Sequence, residues 1–216
     1  MRGPVAGRMH ERALRARGFH RIAGVDEVGR GSLAGPVVAA AVVLDPDRPV
    51  QGLRDSKLLS AAQRERAAAR IAETAMAIGI GAADALEIDA VNILRATHLA
   101  MRRAVEAMQV HADYLLVDAL TIPGLDLPQT GIVHGDRLSA SIAAASIVAK
   151  VHRDALMGRL HLDYPQYGFV ANMGYGTPAH LDALRRFGAS PSHRTSFRGV
   201  LPPASPAYRP AGTRSV

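Results

Sequence analysis

The alternation of apolar and polar positions divides the chain into short strands and amphipathic helices. Two apolar runs, RIAGVDEV and PVVAAAVVL, bracket the glycine-rich turn GRGSLAG, and this arrangement predicts two strands joined as a hairpin. A third strand is predicted at AIGIGAADA, a fourth at YLLVD and a short fifth at TGIVHGD. Because helical segments are interleaved with the later strands, the pattern predicts an α/β domain with a mixed sheet flanked by helices.

Helical spacing is present in the segments between and after these strands. Ser60 is a suitable N-cap for the alanine-rich segment that follows it. Between Ile88 and about Val110, apolar residues recur at steps of three and four, which predicts one amphipathic helix. Another helix is predicted over SASIAAASIVAKVHRDALMGRL, and a last one begins near Thr177 and Pro178. The last helix predicts a helical extension at the C-terminal end of the domain.

The two ends of the chain differ from its middle. Residues 1–20 are rich in arginine but lack the serine enrichment and the apolar block of targeting segments, so we expect a basic N-terminal arm. Residues 21–198 hold the periodic segments and are predicted to form the folded domain. Residues 199–216 are rich in proline and have no apolar pattern, which predicts a disordered tail.

Composition narrows the class of partner. Lys and Arg together number 26 against 19 Asp and Glu, and the resulting net charge of +7 favours a polyanion, with nucleic acid ahead of an anionic membrane. No apolar run approaches the roughly 20 residues that span a bilayer, so we expect a soluble protein. The absence of cysteine excludes disulfides and thiolate metal sites and fits a cytoplasmic location.

Nearly all of the positive charge is arginine, and the only two lysines are Lys57 and Lys150. Two explanations are open. The distribution arose by chance, or a compact ammonium group is required at both positions as a phosphate contact or a carboxylate partner. Lys150 precedes Asp154 by four residues on a predicted helix, which is the spacing of an ion pair. The spacing therefore predicts a structural partner for Asp154 that needs no metal.

Three aspartates lie in or at the ends of predicted strands. Asp26 lies in the first strand, Asp118 ends the fourth and Asp136 ends the fifth. Charges at strand ends gather at a sheet edge, where ligands usually bind. Oxygen ligands of this kind suit Mg²⁺ or Mn²⁺, and a two-metal site would support phosphodiester hydrolysis. Singly, each aspartate could instead cap a turn, and Asp154 competes with Asp136 as a fourth ligand.

The adjacent acids Asp26 and Glu27 pose a geometric problem. In a regular strand their side chains point to opposite faces, so a shared site requires a bulge or a strand end near Gly29. The glycines of the turn also let bare backbone approach a ligand, where N–H and C=O groups can contact a hydroxyl. No Walker A sequence is present, so triphosphate binding of that type is not supported.

Taken together, the motifs resemble those of ribonuclease HII, the bacterial type 2 RNase H family. They are GVDEVGRGSLAGPV, DSKLLS, NILRATHLAM, LLVDAL, GDRLSASIAAASIVAKVHRD, YGFVANMGYGT and SHRTSF, in that order between Arg21 and Arg198. The resemblance implies an RNase H-like fold and endonucleolytic cleavage of the RNA strand of RNA/DNA hybrids. It also implies incision 5′ of single ribonucleotides in duplex DNA, by metal-activated water, with 3′-hydroxyl and 5′-phosphate products.

The same resemblance assigns roles to individual residues. The metal ligands and catalytic acids would be Asp26, Glu27, Asp118 and Asp136. The backbone of Gly29, Arg30 and Gly31 would recognise the ribose 2′-hydroxyl, Tyr175 would stack on the neighbouring deoxyribose, and Lys57 would contact a phosphate. Lys150 and Asp154 are expected to be supporting residues from their helical spacing and not from the resemblance.

The sequence departs from the family pattern at two places. Ala119 replaces the usual glycine after the third acid, and Asn172 and Met173 replace His and Lys before GYGT. We expect the second change to weaken contacts with the substrate backbone without removing the chemistry. A silent nucleic-acid binding module would not explain the acids, and a recombination-type nuclease would not explain GRG together with GYGT. The expected partners are RNA/DNA hybrid and ribonucleotide-containing duplex DNA, with no membrane and a monomeric chain.

Overall fold

A mixed five-stranded sheet forms the centre of the computed structural model, which describes residues 5–200. The strands are β1 (Ile22–Val28), β2 (Val37–Val43), β3 (Ala77–Ala83), β4 (Tyr114–Asp118) and β5 (Gln129–Ile132). Their order across the sheet is β3-β2-β1-β4-β5. The pairs β1–β2 and β2–β3 are antiparallel, whereas β4 and β5 run parallel to β1. The predicted hairpin and the mixed sheet are confirmed.

Helices cover both faces of this sheet. They are α1 (Met9–Ala16), α2 (Ala61–Thr74), α3 (Ala85–Val91), α4 (Ile93–Glu106), α5 (Gly135–Leu138), α6 (Ala140–Asp163), α7 (Phe169–Asn172) and α8 (Pro178–Phe187). Short 3₁₀ turns occupy Ser56–Leu58 and Pro165–Tyr167. Helix α4 packs against β2 and β3 on one face, and α6 packs against β1 and β2 on the other.

Glycine permits the close approach of α6 to the sheet. A Cβ atom on Gly24 would lie 2.0 Å from the carbonyl carbon of Ser141, which no real contact allows. The small residues in the first half of α6, from Ala140 to Ala149, are buried on the side that packs against β1 and β2. This close packing fixes the position of β1 relative to α6.

Two helix starts are confirmed and one helix prediction is wrong. Ser60 caps α2 in a reciprocal capping box with Gln63, and the Thr177 side chain accepts the N–H of His180 at the start of α8. The single helix predicted from Ile88 to about Val110 is interrupted at Asn92, whose φ is 71°. The Asn92 side chain caps α4, and a capping residue cannot itself be helical.

The fifth strand is shorter than predicted. It ends at Ile132, and His134 adopts a left-handed conformation with φ 58° that turns the chain into α5. Asp136 therefore lies in the first turn of α5 and does not end a strand. The segment TGIVHGD was misread because the left-handed turn falls on His134 and not on one of its two glycines, Gly131 and Gly135.

Part of the basic N-terminal segment contacts the domain through α1. Glu11 is 3% exposed, and its Oε1 accepts hydrogen bonds from Ser139 Oγ at 2.7 Å and from Ser141 N–H at 2.9 Å. Both donors belong to the N-terminus of α6, where a carboxylate is favoured by the free N–H groups. Leu14 of α1 packs in a small cluster with Ile22. Glu11 thus ties α1 to the helix that supports the sheet.

Replacement of Glu11 by alanine is expected to lower the free energy of unfolding by about 1 to 3 kcal/mol, because buried donors at the start of α6 lose their acceptor. Urea unfolding of the two proteins measures this difference. Arg12→Ala is the matched control, since Arg12 is exposed on the same helix. Equal effects of the two substitutions would contradict the role of Glu11.

The structure does not describe the two extreme ends of the chain, which belong to the predicted basic arm and the predicted disordered tail. Most of the proline-rich tail, residues 201–216, lies outside the described residues, as do residues 1–4 of the arm. Among the helices that are described, none combines the length and the apolar character that crossing a bilayer requires.

Candidate active site

The predicted acids lie at the carboxyl ends of the parallel strands. Val25 of β1 pairs with Val117 of β4, so the next residues, Asp26 and Asp118, lie side by side on neighbouring strands. Asp118 is the last residue of β4, and Asp136 follows β5 by four residues. Parallel strands end at one edge of a sheet, and this edge is the usual place for a ligand.

Asp26 is a buried carboxylate with no cationic partner among residues 5–200. Its side chain accepts the N–H of Glu27 at 2.7 Å and a hydrogen bond from Ser146 of α6. Burial raises the pKa of Asp26 well above its ordinary value, and the charges of Glu27 and Asp118 raise it further. A nearby positive charge would lower this pKa and favour the ionised form.

No bulge is present at Glu27, and β1 ends one residue after it, at Val28. The antiparallel register with β2 is regular through Glu27–Ala39 and Val28–Val38, and the chain then turns at Gly29 with φ 92°. Glu27 Oε1 accepts a hydrogen bond from Arg30 Nη1 at 3.3 Å, whereas Oε2 is buried without a hydrogen-bond partner. Burial raises the pKa of Glu27, Arg30 lowers it, and Asp118 raises it.

Asp136 joins the same group from α5. It is buried, and burial raises its pKa, as do the charges of Asp55 and Asp118, while Lys57 and Arg137 lower it. Asp118 Oδ1 accepts the N–H of Gly135 at 2.7 Å, which holds the start of α5 against the end of β4. Asp118 is therefore the electrostatic neighbour that Asp26, Glu27 and Asp136 share.

These four residues fit a hard divalent cation by their chemistry. All are carboxylates, and the unpaired Oε2 of Glu27 is a free donor atom. Burial, and to a smaller extent repulsion between the acids, raises the pKa values of three of them, and a bound cation would offset both effects. Within residues 5–200, no three His, Asp or Glu side chains already form a ready-made metal site. The four acids are neighbours, and their side chains would have to adjust to share an ion.

The GRG turn and Tyr175 lie next to each other, although 144 residues separate Gly31 from Tyr175 in the sequence. A Cβ atom on Gly31 would lie 3.9 Å from the Tyr175 ring. The Tyr175 side chain is 40% exposed, so it is not a core aromatic residue. The Arg153 guanidinium lies 5.9 Å from the ring centroid and forms a cation–π contact with the ring.

Lys57 lies beside a buried acid, Asp55, which was not among the residues predicted for the site. Asp55 is 2% exposed, and its Oδ1 accepts the N–H of Lys57 at 2.9 Å. Its Oδ2 accepts from Arg137 Nη2 at 3.2 Å. The exposed Lys57 is close enough to lower the pKa of Asp136. The signal for Asp55 was the DSK motif itself, in which the acid directly precedes the serine and the lysine.

Asp154 forms ion pairs with two basic side chains. Lys150 Nζ donates to Asp154 Oδ1 at 2.6 Å, so the ion pair expected from the spacing is present, and Arg64 lies 3.6 Å from Oδ2. Both carboxylate oxygens of Asp154 thus have partners. Asp136 differs, because it forms no ion pair within residues 5–200. Burial and the charges of Asp55 and Asp118 raise its pKa, and the charges of Lys57 and Arg137 lower it.

The positions that depart from the family pattern have structural roles. Ala119 has φ 53°, a left-handed conformation that favours glycine. Met173 also has a positive φ, of 50°. Asn172 is buried, donates to the Tyr167 carbonyl at 2.6 Å and accepts the N–H of Gly174 at 2.8 Å. Asn172 therefore shapes the turn that presents Tyr175.

Two buried arginines beneath the GRG turn were missed, because arginine was counted as surface charge. Arg153 and Arg194 are both fully buried. Arg153 donates to the backbone carbonyls of Pro36, Met173 and Ala34, at 3.0, 3.0 and 3.2 Å. It thereby joins the segment after GRG to the segment before Tyr175. The only sequence signals were the motifs that carry these arginines, KVHRD and SHRTSF.

Comparison with solved structures supports the fold. Ribonuclease H2 from Pyrococcus horikoshii matches with a TM-score of 0.72 at 24% identity, over 84% of this chain and 95% of that one. A structure of the PCNA:RNase HII complex from Archaeoglobus fulgidus matches with a TM-score of 0.63 at 26% identity, over 77% of this chain and 86% of that one. Bst-RNase HIII in complex with Mn²⁺ matches with a TM-score of 0.67 at 19% identity, over 87% of this chain and 71% of that one.

Sequence comparison gives closer relatives. Ribonuclease HII of Geobacillus thermodenitrificans is 56% identical over 191 residues, which cover 88% of this chain and 73% of that protein. Ribonuclease HII of Syntrophotalea carbinolica is 53% identical over 190 residues, which cover 88% of this chain and 91% of that protein. The ribonuclease HII profile matches residues 23–200. On this extent of similarity, the chain belongs to the ribonuclease HII family.

Proposed function

We propose that Asp26, Glu27, Asp118 and Asp136 hold the divalent metal with which this endoribonuclease hydrolyses the RNA strand of RNA/DNA hybrids. The observation that carries the proposal is the position of Asp118, whose charge acts on all three other acids at the carboxyl ends of the parallel strands. Acids gathered in this way would repel a phosphodiester unless a cation lay between them. The chain is an RNase H endonuclease by its family.

The metal would be Mg²⁺ or Mn²⁺, since both take carboxylate oxygens. Bound there, it would supply activated water and stabilise the charge of the leaving oxygen. The chain's own part is to fix the donors: Ser146 and the Glu27 N–H orient Asp26, and the N–H of Gly135 orients Asp118. No side chain need act as the nucleophile.

Substrate selection would occur at the GRG turn and Tyr175. The backbone of Gly29, Arg30 and Gly31 would contact the ribose 2′-hydroxyl, and the Tyr175 ring would stack on the next deoxyribose. The adjacency of Gly31 and the exposed ring supports one shared pocket for both sugars. Lys57, exposed beside Asp136, would contact a phosphate near the cut. Lys150 and Asp154 would act as a supporting ion pair.

The partners would be RNA/DNA hybrid and duplex DNA that contains single ribonucleotides, bound by a monomer in the cytoplasm. The net charge of +7 supports association with a polyanion. Binding is expected to weaken steeply with salt, because arginine contacts release counterions from the phosphates.

The function is tested with an end-labelled duplex that carries one ribonucleotide, incubated with Mg²⁺ or with excess EDTA. We expect cleavage on the 5′ side of the ribonucleotide with Mg²⁺, a 3′-hydroxyl and a 5′-phosphate at the ends, and no cleavage in EDTA. An all-DNA duplex of the same sequence should remain intact. Equal cleavage of both duplexes would point to a recombination-type nuclease, and binding without cleavage would point to a silent binding module.

Removal of the Tyr175 ring is expected to lower incision at an isolated ribonucleotide about tenfold or more, because stacking on a nucleotide contributes about 1 to 3 kcal/mol. Tyr175→Phe keeps the ring and should retain most of the rate. Phe187→Ala is a matched control, since Phe187 is similarly exposed but lies on α8. Single-turnover rates measure the effect, and an unchanged rate for Tyr175→Ala would refute the stacking role.

A further inference from the structure

Arg194, in the motif SHRTSF, lies directly beneath the GRG turn. Its Nη2 donates to the Gly29 carbonyl at 2.7 Å, and its Nη1 donates to the Arg30 carbonyl at 2.8 Å. Nε and Nη2 also donate to the Gly35 carbonyl, at 3.0 and 2.9 Å. One rigid guanidinium therefore binds three carbonyls on both sides of the turn.

These contacts determine which backbone groups of the turn face outward. A trans peptide is planar, and its C=O and N–H groups point in opposite directions. Because Arg194 holds the carbonyls of Gly29 and Arg30, the N–H groups of Arg30 and Gly31 point away from the buried guanidinium. The planar fork fixes both peptide planes at once, which a single ammonium group could not do.

The burial of Arg194 is difficult to explain by packing alone. Its side chain is fully buried, and within residues 5–200 it forms no ion pair with a carboxylate. Burial and the nearby charge of Arg153 lower the pKa of Arg194 to about 9, so it remains charged at neutral pH. Burying a charge costs free energy, which hydrogen bonds to the charged group must offset. Here those hydrogen bonds go to the turn.

The segment that carries Arg194 is itself anchored from α3. Asp89 accepts hydrogen bonds from the N–H and the Oγ1 of Thr195, at 2.8 and 2.6 Å. It also accepts from the N–H and the Oγ of Ser196, at 3.0 and 2.6 Å. On the other side, the N–H of Arg194 donates to the Leu33 carbonyl at 2.8 Å. Asp89 and the Leu33 carbonyl thus fix the backbone from which the guanidinium reaches the turn.

We propose that Arg194 is a positioning residue for ribose selection, which orients the GRG peptides so that they can recognise a 2′-hydroxyl, with Asp89 as its anchor. This inference rests on the proposed role of the GRG turn. Arg194 does not touch the substrate; it acts through the peptides of Gly29 and Arg30. Its loss should therefore reduce discrimination between ribose and deoxyribose more than it reduces general affinity for a duplex.

The test measures dissociation constants in EDTA, so that no cleavage occurs, for a duplex with one ribonucleotide and for the same duplex in all-DNA form. The Arg194→Lys protein keeps the charge but loses the fork. We expect its preference for the ribonucleotide to fall about tenfold, which corresponds to about 1.4 kcal/mol of lost hydrogen bonding, with all-DNA affinity within about twofold of the parent. Arg103→Lys is the matched control, because Arg103 contacts the Ala82 carbonyl and Glu87 away from the turn.

Asp89→Asn is the second variant, because it loosens the anchor at a half-buried position. It provides the test if the Arg194→Lys protein does not fold. We expect a smaller loss of preference in the same direction. A parent-like preference in either folded variant, or an equal loss of affinity for both duplexes, would overturn the inference.

Gly31→Ala separates this inference from the proposed function. Its Cβ meets nothing closer than the Tyr175 ring at 3.9 Å, so the fold should tolerate the change while the methyl group intrudes on the sugar. If Gly31→Ala loses the preference and Arg194→Lys keeps it, only the inference fails. If the parent shows no preference, or Gly31→Ala keeps it, the proposed role of the turn fails as well.

Discussion

Replacement of Asp26 by asparagine is expected to lower turnover by about a thousandfold or more and to raise the stability of the metal-free protein. Turnover falls because the amide cannot supply the charge that a divalent ion requires. Stability rises because the substitution removes a buried charge that lies beside Glu27 and Asp118. The amide oxygen can still accept the N–H of Glu27, which Asp26 accepts at 2.7 Å, so the local fold should survive.

The pH dependence of stability has a definite sign. The folded-state pKa of Asp26 is raised above its ordinary 3.8, so its favourable contribution is fully present below pH 3.8 and is lost as pH rises through the folded-state pKa. We therefore expect the stability advantage of Asp26→Asn over the parent in EDTA to grow as pH rises from about 4 toward neutrality. Melting curves at a series of pH values measure it. Lower stability of the asparagine variant at pH 7, or a parent-like turnover, would contradict the account of this carboxylate.

Replacement of Asp136 by asparagine is expected to lower turnover by orders of magnitude while the fold survives, whereas Asp154→Asn should act mainly on stability. The reason is the difference in surroundings. Asp136 lies near Asp118, and within residues 5–200 neither carboxylate forms an ion pair, so both are available to an added cation. Asp154 already pairs with Lys150 at 2.6 Å and with Arg64 at 3.6 Å. Excess Mn²⁺ should partly rescue Asp136→Asn by mass action.

The pair of variants is compared by melting temperature and by metal titration of activity. We expect Asp154→Asn to melt lower than the parent but to need the same metal concentration. Asp136→Asn should melt near the parent and need much more metal. The reverse pattern, a metal-defective Asp154→Asn beside a parent-like Asp136→Asn, would exchange the two assignments.

Local patterns were sufficient to predict most of the fold. The continuous apolar run PVVAAAVVL and the capping residues Ser60 and Thr177 placed a strand and two helix starts correctly. The break at Asn92 escaped detection because the apolar stripe continues through it, and only its φ of 71° separates α3 from α4. Asp136 was placed on a strand for a similar reason, since a single left-handed residue, His134, changes the direction of the chain. Such turns depend on one backbone angle, which periodicity does not reveal.

The closeness of Asp26 and Asp118 could be predicted because both lie near the carboxyl ends of strands, whereas Asp136 lies on α5. The adjacency of Gly31 and Tyr175 could not, since it arises from the packing of segments far apart in the sequence. The burial of Arg194 could not be predicted either. An arginine that binds backbone carbonyls leaves no complementary acid in the sequence to indicate its partner.

Direct titration of Mn²⁺ into the protein by calorimetry tests the central claim most directly, with the parent compared to Asp118→Asn. Asp118 is the neighbour common to Asp26, Glu27 and Asp136, and its amide can still accept the N–H of Gly135, so the variant should fold. We expect the dissociation constant for Mn²⁺ to rise at least about tenfold in the variant, because one carboxylate charge in four is lost. Parent-like Mn²⁺ affinity in a folded Asp118→Asn would contradict the assignment of these acids to a metal site.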